Sequence, residues 1–157
     1  MRLVVVATSR PFLDSPSVRF GETVVAKLQQ FGHQAELVRV PCDDASVESA
    51  LRSAIAASML RVRGVERIVA FDFPAYYAHH ENKVVWLLDE PQTTIPPLLA
   101  QARANLDSRR LAGIRLYAAS AAAAARVGNF GLTPPVLPVP ETGDDDAWKK
   151  AVEALTA

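Results

Sequence analysis

The sequence predicts one α/β domain, a parallel sheet with helices on both faces. Three observations carry this. Leu3 to Thr8 is a continuous apolar and β-branched run with no polar alternation, as in a strand buried on both faces. Similar runs recur and alternate with stretches of helical period, which implies right-handed crossovers and a doubly wound sheet. The chain has 157 residues, 50% of them hydrophobic. That is about one domain, able to bury roughly two-thirds of its unfolded surface.

The elements follow in order. After the first strand, Ser9 to Pro16 is a loop punctuated by Pro11 and Pro16. Ser15 can cap a helix with Pro16 at its first position, where the missing N–H costs nothing. That helix runs to Phe31, with Val18, Val25, Leu28 and Phe31 near one face and Gly32 as its stop. Ala35 to Val40 is a second strand. Asp44 or Ser46 caps the next helix, whose expected buried stripe is Val47, Leu51, Ile55 and Met59. Arg67 to Asp72 and Lys83 to Leu88 are strands three and four, joined by the aromatic connection Phe73 to His80. A helix spans about Ile95 to Leu111, with Pro96 and Pro97 in its first turn, and Gly113 ends it. Ile114 to Ala118 is a fifth strand, and Ser120 caps a short helix from Ala121 to about Gly128. Pro134 to Val139 reads as an edge segment. Glu141 to Asp146 is an acidic linker, and Asp146 caps a last helix that carries Trp148, Val152 and Leu155 on one face. The expected order is that of a Rossmann-like half, with Leu3–Ala7, Val69 and Val84–Leu88 central. No repeat and no second domain is visible.

Charge and composition exclude several classes. Seventeen Lys plus Arg balance 17 Asp plus Glu. A zero net charge argues against nucleic-acid or anionic-membrane binding by bulk charge. It also predicts an apolar surface covered in a native assembly. Cys42, the only cysteine, reads as a small partly buried thiol, since no histidine lies nearby in sequence. The apolar N-terminus is too short for a signal peptide or a membrane span, so the cytoplasm is the expected location. There is no G-x-G-x-x-G, no G-x-x-x-x-G-K-[ST] and no G-x-S-x-G, and the first loop has no glycine before Gly21. No cofactor and no metal site are predicted.

In an open parallel sheet, ligands bind outside the C-terminal ends of the strands. The loops Ser9–Pro16, Pro41–Asp44, Asp72–His80, Asp89–Thr94 and Ala119–Ala121 are therefore expected to matter. His79 and His80 can shuttle protons or contact a ligand, or simply occupy a solvated loop; without a third ligand they are a weak metal pair. Asp89 and Glu90 follow the fourth strand, where a carboxylate can act as a general base or bind a sugar hydroxyl, or serve turn chemistry before Pro91. Asp72 can accept loop N–H bonds. Tyr76 and Tyr77 offer aromatic faces to a sugar, or cover the end of the sheet.

Arg67-Ile68-Val69-Ala70-Phe71-Asp72-Phe73-Pro74-Ala75-Tyr76, followed by His80-Glu81-Asn82-Lys83-Val84-Val85-Trp86-Leu87-Leu88, resembles the N-terminal half of glycosyltransferase family 4 enzymes. Those share an apolar strand, F-P-x-Y, H-P-N-K and V-x-W-L-L-H. Leu116 to Ser120, Ala125-Arg126-Val127, Phe130-Gly131 and Pro134-Pro135 or Leu137-Pro138 are similar to the family's S-x-x-x-A-x-R-L, F-x-G and V-L-x-P-P stretches. The resemblance covers roughly residues 60 to 140, and the first 40 residues agree only in strand–helix–strand order. It implies one half of a GT-B fold, in which two domains face a cleft, the N-terminal one binding the acceptor and the C-terminal one the nucleotide sugar. Residues 1–140 would be the N-terminal-type domain. Residues 141–157 would be a linker and a helix packing back, similar to the family's crossover helix.

The chain departs from that pattern. It holds one domain, Asp89 replaces the histidine after W-L-L, Glu90-Pro91-Gln92 replaces a basic H-x-R stretch, and Ser9-Arg10-Pro11 replaces a glycine-rich loop, although Arg10 can still meet a phosphate. The expectation is a glycosyltransferase-like acceptor-binding domain, inactive without a donor-binding domain or partner. Asp89 and His80 are its candidate catalytic groups, and Arg10, Asp72, Tyr76, His79, Glu90 and Ser120 its candidate contacts to a carbohydrate acceptor. The alternatives are a free-standing flavodoxin-like or nucleotide-binding module, and a non-catalytic scaffolding subunit or homo-oligomer.

Overall fold

A computed structural model describes residues 1–90 and 96–157. The expected loop through Thr94, with Pro91 and Gln92, and the expected helix start at Ile95 lie outside the described residues. The fold is α/β and Rossmann-like. Strands β1 (Arg2–Ser9), β2 (Gln34–Pro41), β3 (Arg67–Ala70), β4 (Lys83–Leu87) and β5 (Arg115–Ala118) form one sheet in the order β2-β1-β3-β4-β5. Every adjacent pair is parallel, with Val5 opposite Leu37 and Val69, and Val85 opposite Ala70 and Leu116.

Successive residues of a strand face opposite sides, so the sheet carries two cores. Leu3, Val5, Val69, Phe71, Val84 and Trp86 pack with Val24 and Leu28 of α1 (Pro16–Gln30) and with Trp148, Val152 and Leu155 of α5 (Asp145–Thr156). Val4, Val6, Ile68, Ala70, Val85 and Leu87 face the other way. They pack with Ala54 and Ala57 of α2 (Val47–Met59) and with Ala123 and Val127 of α4 (Ala121–Gly128), and α3 (Pro97–Arg110) contacts α2. The β-branched runs that predicted central strands are fully buried, Val5, Val6, Val69, Val84 and Val85 each at 0% exposure.

Three expectations are corrected. The buried stripe of α2 is Ala50, Ala54 and Ala57, while Ile55 is 61% and Met59 74% exposed. A residue repeated every four positions advances about 40° per step on a helix of 3.6 residues per turn. The larger side chains therefore spiral away from the face that the alanines keep. Ser15 stands at the N-cap of α1, but its hydroxyl accepts from the Arg10 backbone N–H (3.0 Å) instead of capping. The cap of α5 is Asp144, whose Oδ1 accepts from the Ala147 N–H (3.0 Å), leaving Asp145 and Asp146 in the first turn beside the positive end of the helix dipole. Ser120 does cap α4, accepting from the Ala123 N–H at 3.1 Å. The Pro134–Val139 segment touches the sheet at one bridge, Val136 beside Ala118.

Helix α1 lies close to the sheet at Gly21. A Cβ there would stand 2.7 Å from Leu37 Cδ1 and 3.4 Å from Ala7 Cβ. No described helix is long and apolar enough to cross a membrane.

Candidate functional site

The sheet order reverses between β1 and β3, the point at which an open α/β sheet leaves a crevice at its C-terminal edge. A cavity of about 430 Å³ opens there.

One wall comes from the ends of β1 and β3 and the start of α1. The Ser17 hydroxyl donates to Asp72 Oδ1 (2.9 Å) and accepts from the Thr8 N–H (3.2 Å). The Thr8 hydroxyl donates to the Phe73 carbonyl (3.1 Å) and accepts from the Ala75 N–H (3.3 Å). Burial pushes the Asp72 carboxyl above its ordinary range, and the hydroxyl bond from Ser17 and the neighbouring Thr8 oppose this only in part. Arg10 donates through Nε (3.0 Å) and Nη2 (2.9 Å) to Asp44 Oδ2. That pair more than offsets the desolvation of the guanidinium and keeps it charged. Cys42 is 3% exposed and packs in the core cluster below the crevice, where burial raises its thiol pKa.

The other wall comes from the end of β4 and from α3 and α4. Arg103 Nη2 donates to Glu90 Oε1 at 2.6 Å, and Arg126 Nη1 stands 3.3 Å from the same oxygen. Burial pushes Glu90 upward, but the two guanidiniums outweigh it and hold the carboxylate below its ordinary range. The Arg103 guanidinium lies over the Phe73 ring, 4.4 Å from its centroid. Asp89 is exposed beside Glu90, and the Ser120 hydroxyl donates to its Oδ1. Leu88, Pro96 and Leu99 add apolar surface.

Of the candidate residues, Arg10, Asp72, Asp89 and Glu90 line this crevice, and Ser120 orients one of them. Tyr76 does not reach it. Its ring is 1% exposed, and its hydroxyl donates to Asp107 on α3 (2.9 Å), as does that of Tyr77. The tyrosines cover the sheet from within and anchor α3. Burial pushes the Asp107 carboxyl up, against the hydroxyl bond from Tyr77 and the charge of Arg103.

The two candidate catalytic groups, His80 and Asp89, lie at opposite edges of the sheet. His80 precedes β4 and Asp89 follows it, and the five residues of β4 rise roughly 16 Å in a parallel strand. His79 bridges Arg61, and His80 Nδ1 accepts from the Asn82 N–H at 3.0 Å, both at the N-terminal edge of the sheet. There Lys83 is buried and donates to the carbonyls of Tyr76 (2.8 Å) and Ala78 (3.1 Å). Burial, with the charge of Arg110, brings its ammonium down to about 8.

Sequence reasoning did not single out Thr8, Ser15, Ser17, Asp44 and Arg103 as site residues, although Ser15 and Asp44 lie in two of the loops expected to matter. A signal existed for the first three: hydroxyls that end the first strand and flank a proline at a helix start fall at the C-terminal edge of a parallel sheet. Arg103 and Asp107 stand four apart on one face of α3, which marks a shared environment but not the partner strand.

Among the described residues, no group of three or more His, Cys, Asp or Glu side chains is arranged to hold a metal ion. The crevice offers hydrogen bonds and fixed charge: carboxyls, hydroxyls and the guanidiniums of Arg10 and Arg103 around apolar surface. No protein-family model, curated protein or solved structure matches the chain.

Proposed function

We propose that the chain is a glycosyltransferase-like acceptor-binding domain that needs a donor-binding domain or partner to turn over. One observation carries the reading. The crevice combines Asp72, Asp89 and Glu90 with the hydroxyls of Thr8, Ser15 and Ser17, around apolar surface from Phe73, Leu88 and Leu99. A sugar presents many hydroxyls and apolar C–H patches, and this lining complements both. Phe73 and Leu88 belong to the two stretches that resemble the family 4 enzymes, so the resemblance and the crevice coincide there. The H-x-N-K stretch falls at the opposite edge, and His80 takes no part in the chemistry proposed here.

Asp89, exposed and oriented by Ser120, is the group to accept the proton of the acceptor hydroxyl. The hydroxyl oxygen attacks the anomeric carbon of a donor held by the partner, the bond to the nucleotide diphosphate breaks, and the proton passes to Asp89. Glu90, held by Arg103 and Arg126, stays ionised and accepts hydrogen bonds from neighbouring hydroxyls.

The test is a titration of the purified chain with methyl glycosides by NMR, beside an assay for sugar transfer from nucleotide donors. Shifts confined to the crevice with no transfer support the reading. Transfer by the chain alone refutes the need for a partner, and no glycoside binding refutes the acceptor site.

A second reading, a free-standing nucleotide- or flavin-binding module, is favoured by the strand order, which is that of flavodoxin-like sheets with the crevice at the switch point. Ultraviolet and visible absorbance of a co-purified ligand would support it. Against it, the connection from β1 to α1 has no glycine to bring its backbone against a diphosphate.

A further inference from the structure

The crevice is lined by polar groups and apolar surface, and exposed apolar side chains neighbour its lining residues along the chain at what we take as its rim. The connection from β1 to α1 contributes Arg10 and Ser15 to the lining, and between them Phe12 is fully exposed at 105% and Leu13 is 68% exposed. Leu98, between the lining residues Pro96 and Leu99, is also 68% exposed. Phe12 holds a φ of 63°, a left-handed conformation that a bulky L residue adopts only at a cost. The turn that imposes it is closed by the Leu13 N–H on the Arg10 carbonyl (3.1 Å) and tied at its base by the Arg10 N–H on Ser15 (3.0 Å). The fold thus holds a phenyl ring in solvent, at a position where neither core packing nor hydrogen bonding calls for an aromatic residue. The charges nearby are matched within the chain, Arg10 with Asp44 and Arg19 with Asp14. What these residues offer a ligand beyond those pairs is apolar surface.

We propose that the ligand of the crevice is amphipathic: a hydroxylated head group enters between Asp72 and Glu90, and an alkyl or aryl group attached to it lies across Phe12, Leu13 and Leu98. This rests on the reading of the crevice as a sugar site and specifies the class of acceptor, a glycoside or polyol bearing an apolar substituent.

The experiment compares methyl and hexyl β-glycosides of glucose, galactose and mannose by calorimetric titration against the full chain, below the aggregation limit of the hexyl compounds. For the sugar that binds, the hexyl compound is expected to bind at least about tenfold tighter, as burial of a few methylenes gives. The double variant Phe12→Ser/Leu13→Ser, with an unchanged melting temperature, is expected to bring the hexyl compound down to the methyl affinity and leave the methyl affinity alone. Equal affinities for methyl and hexyl overturn the amphipathic ligand while leaving the sugar site standing. A hexyl advantage that survives the double variant overturns it as well. Absence of binding by all pairs overturns the sugar site and this inference together. If the double variant instead converts a dimer to a monomer in sedimentation, with no hexyl advantage in the parent chain, a second copy covers the rim and the proposal is wrong.

Discussion

Asp72 and Glu90 face one crevice from the ends of neighbouring strands, and burial pushes both carboxyls toward the neutral form. Their partners decide the outcome. Asp72 accepts from the Ser17 hydroxyl and lies beside Thr8, and its pKa stays raised. Glu90 meets the guanidiniums of Arg103 and Arg126, and its pKa falls. Asp107, on the buried face of α3 and bonded by the hydroxyls of Tyr76 and Tyr77, behaves like Asp72. A hydroxyl dipole satisfies a carboxyl's hydrogen bonding without matching its charge, whereas a formal charge at hydrogen-bond distance does both. The two walls thus differ in how they hold a carboxyl, one through a hydroxyl and the other through two guanidiniums.

The largest break in this contrast is expected from Arg103→Met. It leaves the partly buried Glu90 with Arg126 alone and removes the cation over Phe73. A loss of about 2–3 kcal/mol in urea unfolding is expected, below that of breaking a fully buried pair. Asp107→Ala comes next. Two buried tyrosine hydroxyls lose their acceptor, and about 2 kcal/mol should go. Tyr76→Phe added to that variant should recover part of the loss, because one stranded hydroxyl is removed. No recovery would mean that the cost is a cavity and not an unpaired group.

The two walls also predict opposite pH dependences. For Asp72 and Asp107 the folded pKa lies above the unfolded value, near 3.8. Their stabilisation is full below that value and is lost as pH rises through the folded pKa. For Glu90 the folded pKa lies below the unfolded value, near 4.5. Its stabilisation is present above that pH and is lost as pH falls through the folded pKa. Unfolding free energies at stepped pH should show Asp72→Asn flattening the first limb and Glu90→Gln the second. If either substitution flattens the other's limb, the assignment of walls is reversed. The smallest effects belong to Asp89, which is exposed, and His80, which is half-buried and, among the described residues, bonded only to Asn82 nearby. Asp89→Ala and His80→Ala should each leave stability within about 0.5 kcal/mol. Asp89→Ala should weaken binding of the glycoside that occupies the crevice, and His80→Ala should leave it unchanged. Weakened binding in His80→Ala would place the ligand at the other edge of the sheet.

The parts of this molecule legible in its sequence are those fixed by local pattern. Leu3 to Thr8 and Val84 to Leu87 could be read as central strands because nothing polar interrupts them, and Trp148, Val152 and Leu155 share one helical face that does pack on the sheet. The buried face of α2 escaped because alanine gives a weak hydropathy signal but the closest packing, so the larger side chains drew attention to the wrong side. In the site, Asp72, Asp89 and Glu90 could be placed because they directly follow strands. Tyr76 and His80 could not, because a single connection carries the chain from one edge of the sheet to the other. The pairing of Tyr76 with Asp107 spans 31 residues, and no spacing rule encodes it.

Gly21 lies outside the crevice yet sets the clearance on which it is built. A methyl group there would meet the end of Leu37 at 2.7 Å, so α1 can rest at its present height only while that position is bare. Ser17 stands four residues away, about 6 Å along the helix axis, and reaches Asp72 across 2.9 Å. A lift at Gly21 is passed along a stiff helix to that hydroxyl. The hydrogen bond that holds a carboxyl in the crevice is thereby geared to the thickness of the seam between a helix and the sheet beneath it.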